Sequence, residues 1–228
     1  MIAVDLGIVP YDEGLRRQHD AHAGNTEGGL DDVIFLLEHD PVITMGKSGS
    51  GSDLLVMEEA LAAQGIALRR VNRGGKITCH YHGQLVVYPV VDLIRLGCDV
   101  HEFVNGLEEI VMRTLADFGI RGRRIRRYRG VFVDDDKIAS VGIEVRNHVT
   151  LHGFSLNVRE DRSLYPLFVS CGIADKGITF LDSFLPPDAA ADMGTVKVGI
   201  LRHFEEVFSA SILEMDREAF GKAMGKRP

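Results

Sequence analysis

The chain has 228 residues, 45% of them apolar and 26% charged, with a formal net charge of −7 at pH 7. That length is enough to bury a full core, and the acidic balance gives no overall reason to expect nucleic acid or an anionic membrane surface as partner. The longest apolar run, residues 85–94, is broken by Asp92 and falls far short of the roughly 20 residues of a membrane span.

Residues 1–15 carry no basic stretch ahead of an apolar one, so a signal peptide is not expected. Three cysteines without regular spacing read as thiols of a reducing cytoplasm rather than a disulfide framework. No internal repeat or low-complexity linker interrupts the chain, and a single domain over residues 1–228 is expected.

In chain order, DVIFLLE at residues 32–38 is dense enough for a central strand buried on both faces. Residues 52–64 read as one helix, with Ser52 as cap, Leu54, Leu55, Met57 and Leu61 inward and Gly65 as stop. Residues 66–71 follow as a strand, and RGGKITCHYHGQLVVYP at 73–89 runs from a glycine loop into another buried strand. Asp99 with Glu102 three residues on forms a capping box. From Val100 to Phe118 apolar residues recur at helical spacing, and Gly119 closes the helix. GVFVDDDKIASVGIEV at 130–145 predicts a hairpin with Asp134, Asp135 and Asp136 near its tip. Residues 148–158 add a third antiparallel strand, 164–187 are irregular, and 196–208 predict an amphipathic helix. Hairpins mixed with helices, without regular βαβ alternation, indicate an α/β chain of α+β type with a mixed, largely antiparallel sheet flanked by helices.

Four chemistries compete for the polar segments. Cys79, His80 and His82 are close together, but a structural zinc site takes paired ligand spacing and a second cluster. No metal is therefore expected. Gly74-Gly75 is no phosphate cradle of a known kind, since neither G-x-x-x-x-G-K-[ST] nor a strand–G-x-G-x-x-G–helix unit is present. The loop still admits close backbone approach. The run RGRRIRRYR at 121–129, with six arginines around Tyr128, fits a solvated strand edge, a nucleic-acid patch in a non-catalytic binding module, or a dock for an acidic protein. Cys98 reads as structural. Cys79 and Cys171 lie among small residues, and a loop cysteine becomes a nucleophile when a base or cation lowers its pKa. Lys137, Lys176, His152, His80 and His82 could each do so, and spacing does not choose among them.

Four segments together resemble lipoate-protein ligase B, the octanoyltransferase family: LEHDPVITMGK (37–47), RGGKITCHYHGQLVVYPVVDL (73–93), GVFVDDDKIASVGIEVRNHVTLHGFSLNV (130–158) and SCGI (170–173). The resemblance implies the single-domain architecture of lipoate and biotin protein ligases. It also implies octanoyl transfer from octanoyl-acyl carrier protein to a lysine of lipoyl domains of 2-oxoacid dehydrogenases and of the glycine cleavage H protein. Such an enzyme uses no metal and no ATP, so no cofactor is expected. Neither nucleic acid nor a membrane is expected as partner, and a cytoplasmic monomer is the expectation.

Carried over by position, the nucleophile falls on Cys171 and its partner on Lys137. The acyl-binding surface falls on Arg73, Gly74, Gly75, Lys76, Ile77, Thr78, Cys79 and His80, on the turn Ser140, Val141 and Gly142, and on Gly153, Phe154 and Ser155. Backbone N–H groups near Gly172 and Gly142 are candidates for the oxyanion. An ATP-dependent lipoate ligase or a carrier-to-carrier amidotransferase of the same fold is the alternative. The chain departs from the family at Cys79, at Tyr81-His82 in place of Gly-Pro, and at Ser170 in place of proline. Tyr81 and His82 are expected to reshape the acyl groove, and Cys79 to add a thiol near the site.

Overall fold

A computed structural model describes residues 1–168, 176–186 and 190–225. In chain order these form β1 (Ile2–Val9), α1 (Tyr11–Thr26), β2 (Val33–His39), β3 (Val42–Met45), α2 (Glu58–Ala63), β4 (Ala67–Arg70), β5 (Ile77–His80) and β6 (Gln84–Val90). There follow α3 (Leu93–Leu96), α4 (Val100–Asp117), β7 (Arg123–Ile125), β8 (Tyr128–Val133), β9 (Asp136–Arg146), β10 (Val149–Asn157), α5 (Met193–Phe208), β11 (Leu213–Glu214) and α6 (Arg217–Gly225).

Eight strands make one sheet in the order β11-β1-β2-β6-β10-β9-β8-β7, and β4-β3-β5 make a second, smaller one. In the large sheet β11, β1 and β2 run parallel, and every later neighbour is antiparallel. This is the mixed, largely antiparallel sheet expected of the sequence. The period of two decides what each face of β2 meets. Ile34 and Leu36 pack in one cluster with Phe103, Leu107 and Ile110 of α4 and with Ile200 and Phe204 of α5. Val33, Phe35 and Leu37 pack in another with Ala21 of α1 and Phe220 of α6. A strand covered on both faces has no polar alternation, which is why DVIFLLE reads as a continuous apolar run.

α4 has the expected start: Glu102 N–H donates to Asp99 Oδ1 at 2.8 Å and Asp99 N–H to Glu102 Oε2 at 2.9 Å. Gly119, at φ +74°, ends it in the left-handed region that favours glycine. α5 begins three residues earlier than expected because Asp192 caps it, accepting from Thr195 N at 2.8 Å.

The helix expected over 52–64 is shorter. Ser50 and Asp53 form a capping box around a 3₁₀ turn at Gly51–Asp53, and Leu54 then turns extended to bridge Phe168, with Leu55 N–H donating to Leu167 O at 2.9 Å. That tertiary pairing overrides the helical spacing. Leu55 and Met57 end up 60% and 73% exposed, and only Leu61 is buried within α2. Ser140, Val141 and Gly142, expected as a turn, lie inside β9. Among the described residues no helix is long and apolar enough to cross a membrane.

Candidate active site

The two sheets are joined at the glycine loop. Arg73, buried at the foot of β5, donates from Nη2 to Thr44 O and Thr44 Oγ1, both at 2.8 Å, and from Nη1 to Gly74 O at 3.0 Å. Gly74 N–H then reaches across to Ile143 O of β9 at 2.9 Å. A Cβ at Gly142 would lie 2.7 Å from Gly74 O, and one at Gly153 would overlap Val87 O. The glycines at 142 and 153 therefore let backbones touch. The seam encloses a cavity of about 240 Å³.

Lys137 lines this cavity, 5% exposed, with Nζ 5.7 Å from the centroid of Phe132. Its place is fixed from two sides. Gly130, at φ +113°, lies against the lysine stem, where a Cβ would come within 2.8 Å of Lys137 Cε. Gly130 N–H donates to Glu108 Oε1 at 2.9 Å, and this buried carboxylate also accepts from Arg124 Nε at 3.0 Å. On the other side, Lys137 N–H donates to Gly177 O at 2.9 Å and Lys137 O accepts from Thr179 N at 3.0 Å.

Along β5 the alternation of the strand divides the expected site residues. Thr78 and His80 line the cavity with Arg73, Gly74, Gly75 and Lys76. Ile77 and Cys79 are buried in the third apolar cluster with Ile43, Tyr81 and Phe180. Ser140, Val141, Gly142, Gly153, Phe154 and Ser155 also line the cavity. Cys171, together with Ser170, Gly172 and the rest of 169–175, lies outside the described residues. The chain on either side is anchored: Phe168 pairs with Leu54, and Lys176 Nζ donates to Asp135 Oδ1 at 2.8 Å.

The departures from the family pattern fall elsewhere than expected. Tyr81 is buried against Tyr165 in the third cluster, and His82 is exposed with Nε2 3.0 Å from Asp40 Oδ1. Neither lines the cavity, so they do not shape its wall, and the Cys79 thiol faces away from it. The three side chains Cys79, His80 and His82 thus do not converge.

Tyr11, Tyr88, His152, Arg127, Tyr128 and Arg129 also line the cavity, and none was singled out as lining from the sequence. Tyr11 follows Pro10 at the start of α1 and belongs to no motif. His152 had a local signal, since it directly precedes Gly153-Phe154. In the arginine run, Arg123 pairs with Asp135 and Arg124 with Glu108 and Glu109, so these two hold strand β7 in place.

Burial sets the charge state of the inner imidazoles. His80 is held well below the ordinary histidine range, first by burial and next by the neighbouring His39. Burial lowers His39 to about 4 and, with Arg73 adding repulsion, His152 to about 3. His39 Nδ1 lies 2.9 Å from Val9 O, so it carries the proton, and Nε2 accepts from Tyr88 O–H at 2.9 Å. His80 Nδ1 donates to Gln84 Oε1 at 2.7 Å, Gln84 Nε2 to Asn157 Oδ1 at 2.9 Å, and Asn157 Nδ2 to Thr179 O at 3.1 Å.

Comparison with known proteins gives this arrangement its class. Residues 10–205 match the model of the lipoyl protein ligase A/B catalytic domain. The octanoyltransferase of Nitratidesulfovibrio vulgaris (strain DSM 19637 / Miyazaki F) is 39% identical over 219 residues, covering 96% of this chain and all of that one. That of Thermoanaerobacter sp. (strain X514) is 39% identical, covering 92% and 91%. In fold the chain is similar to a bi-partite lipoate protein ligase from Thermoplasma acidophilum (TM-score 0.72, 17% identity, 99% and 92% covered). It is similar also to biotin protein ligase from Aquifex aeolicus (TM-score 0.53, 10% identity, 92% and 69% covered).

Fold and site together define an α/β enzyme of the lipoate and biotin protein ligase architecture. The chain belongs to the lipoyl protein ligase A/B catalytic-domain family, on its lipoate-protein ligase B side, and is an acyltransferase.

Proposed function

We propose that this protein, with residues 1–228 as one catalytic domain, transfers an octanoyl group from acyl carrier protein to a lysine of lipoyl domains. Cys171 is the proposed nucleophile and Lys137 its proton-handling partner. The observation that carries the reading is the burial of Lys137 in the lining of a glycine-walled cavity, in a chain 39% identical to octanoyltransferases along nearly its whole length.

The chemistry needs no external activation. The Cys171 thiolate attacks the carrier thioester carbonyl, the carrier thiol leaves, and one thioester replaces another. The ε-amine of the acceptor lysine then attacks the Cys171 thioester, forming an amide and returning the cysteine sulfur. Lys137 as ammonium favours the thiolate in the first step and gives its proton to the departing carrier sulfur; as the resulting amine it takes the proton of the attacking lysine in the second. The Gly74, Gly142 and Gly153 wall admits the acyl chain against backbone, where each buried methylene contributes about 0.8 kcal/mol.

Incubation with octanoyl-acyl carrier protein should add one octanoyl mass to the peptide holding Cys171, and Cys171→Ala should abolish it. Undiminished labelling of Cys171→Ala would remove the nucleophile from the proposal. Lys137→Ala should slow transfer about 10²- to 10⁴-fold, the usual contribution of a positioned acid–base group. Free octanoate with ATP should give no product; product formed there would identify a ligase.

A further inference from the structure

Two buried side-chain amides link the backbone at Lys137 to the ring of His80. Lys137 N–H donates to Gly177 O at 2.9 Å and Thr179 N–H to Lys137 O at 3.0 Å, so that Lys137 and Ile178 form a parallel bridge. Thr179 O accepts from Asn157 Nδ2 at 3.1 Å, Asn157 Oδ1 accepts from Gln84 Nε2 at 2.9 Å, and Gln84 Oε1 lies 2.7 Å from His80 Nδ1. The ladders of the large sheet keep these groups close to one level. Gln84 stands opposite Asn157, and the adjoining Leu156 stands opposite Ala139, two residues from Lys137.

The direction of each bond in this relay is forced from the Lys137 end. A carbonyl oxygen only accepts, so Asn157 turns its nitrogen to Thr179 and its oxygen to Gln84. Gln84 must then offer its nitrogen to Asn157 and its oxygen to His80, which therefore carries its proton on Nδ1. The Tyr165 O–H adds a second donor to Asn157 Oδ1 at 3.3 Å and holds the same orientation. Burial keeps the His80 ring neutral, so Nε2 retains its lone pair. That nitrogen has no partner among the described residues, in a side chain that lines the cavity together with Lys137. Gln84 and Asn157 are 1% and 5% exposed. Amides at that depth are costly unless every link is made, and here the oxygen and the nitrogen of both are engaged.

We infer that Gln84 and Asn157 are positioning residues for acyl transfer: they hold His80 as a hydrogen-bond acceptor in the cavity lining and tie it to the backbone that seats Lys137. The inference rests on the acyl-transfer reading above. Neither amide lines the cavity, so both act through His80 and Lys137 rather than on the substrate. The reaction brings an amine into the cavity. A lone pair on His80 Nε2 meets an amine N–H as a partner, whereas the Nε2–H tautomer would face it with a second donor. The seat of Lys137 bears on the same step. Without Asn157, Thr179 O loses its anchor, and the segment paired with the Lys137 backbone is free to shift. A misplacement of about 1 Å in a reacting group can cost on the order of 10²-fold in rate.

The nitrogen chemical shifts of His80, read by NMR on isotope-labelled protein without substrate, report the tautomer directly. Near neutral pH the unaltered protein should show one neutral form, with the proton on Nδ1. Asn157→Leu leaves the His80–Gln84 contact in place but frees the Gln84 amide to turn over, so the Nε2–H form should appear beside the first. In transfer from octanoyl-acyl carrier protein to a lipoyl domain, Asn157→Leu and Gln84→Leu should each lower kcat per folded molecule by about 10- to 10²-fold while KM changes little. Because the two act in one relay, the double variant should lose no more than the worse single variant. A proton on Nε2 in the unaltered protein overturns the inference, even if neither variant folds. So does an unchanged kcat in both folded variants, a loss confined to KM, or losses that multiply in the double variant. Absence of octanoyl transfer by the unaltered protein would instead defeat the proposed function, while the tautomer, measured without substrate, still decides the relay, so the two failures are distinguishable.

Discussion

A methyl group added at Gly153 has nowhere to go. It would overlap the Val87 carbonyl oxygen and lie 2.7 Å from Pro89 Cδ, and both belong to β6, held between β2 and β10. Gly153→Ala must therefore push β10 off β6, at the roughly 1–3 kcal/mol typical of overpacking. For a chain of this size each kcal/mol lowers Tm by about 2–4 °C. The melting temperature of Gly153→Ala should fall accordingly, and octanoyl transfer should fall with it because the cavity wall moves. A variant with unaltered Tm would show that the β6–β10 contact yields freely. At this scale the sequence was a partial guide. A glycine pair in RGGK marks a close approach, but which backbone it approaches depends on Ile143 O, some 70 residues away in the chain. Tyr11 could not be found at all from local pattern, because its role at the cavity comes only from packing against His39 and His80.

The elements divide along the same line. β2, α4, the β8–β9 hairpin and β10 were legible because each carries its own signal: a continuous apolar run, a capping box, an acidic turn, alternation. The start of α2 was not, because Leu54 and Leu55 obey a pairing with Leu167 and Phe168 that lies more than 100 residues downstream. Nor does α1 advertise itself, since its exposed face is largely polar and Gln18 and Asn25 are among its buried residues. What ties β2, β5 and β10 together also makes the molecule sensitive to acid. His39, His80 and His152 sit one on each strand, with His39 lowered to about 4 and His152 to about 3, burial being the first cause for both. The unfolded chain binds protons at these histidines near pH 6.5, while the native protein does not until far lower. The stability they allow is thus complete above about pH 6.5 and is lost as pH falls toward 4, by up to about 1.4 kcal/mol per pH unit for each histidine. The urea midpoint should drop between about pH 7 and pH 5, a range above the ordinary titration of carboxylates. A midpoint constant over that range would mean the imidazoles open to solvent before they protonate.

The molecule as a whole is acidic, at −7, yet the charged residues that line the cavity among the described residues are all cationic: Arg73, Lys76, Arg127, Arg129 and Lys137. Opposite signs on the body and at the mouth have different effects on an acidic carrier protein. The body repels it at long range, and the mouth attracts it at short range, so a productive encounter is steered to one orientation. Arg127 and Arg129 are exposed, and Arg129 is tethered by Nη1 to Asn105 Oδ1 at 3.3 Å. With a screening length of about 10 Å at 0.1 M salt and 3 Å at 1 M, raising salt should remove the attraction while leaving bond-making untouched. The kcat/KM for octanoyl-acyl carrier protein should therefore fall severalfold between about 0.05 and 0.5 M salt, with kcat steady, because steering acts on association. An octanoyl thioester of a small uncharged thiol should show no such fall, and Arg127→Glu should lower kcat/KM for the carrier-bound donor alone. Equal salt dependence for both donors would place the effect inside the cavity, on the Lys137 chemistry, rather than at its cationic rim.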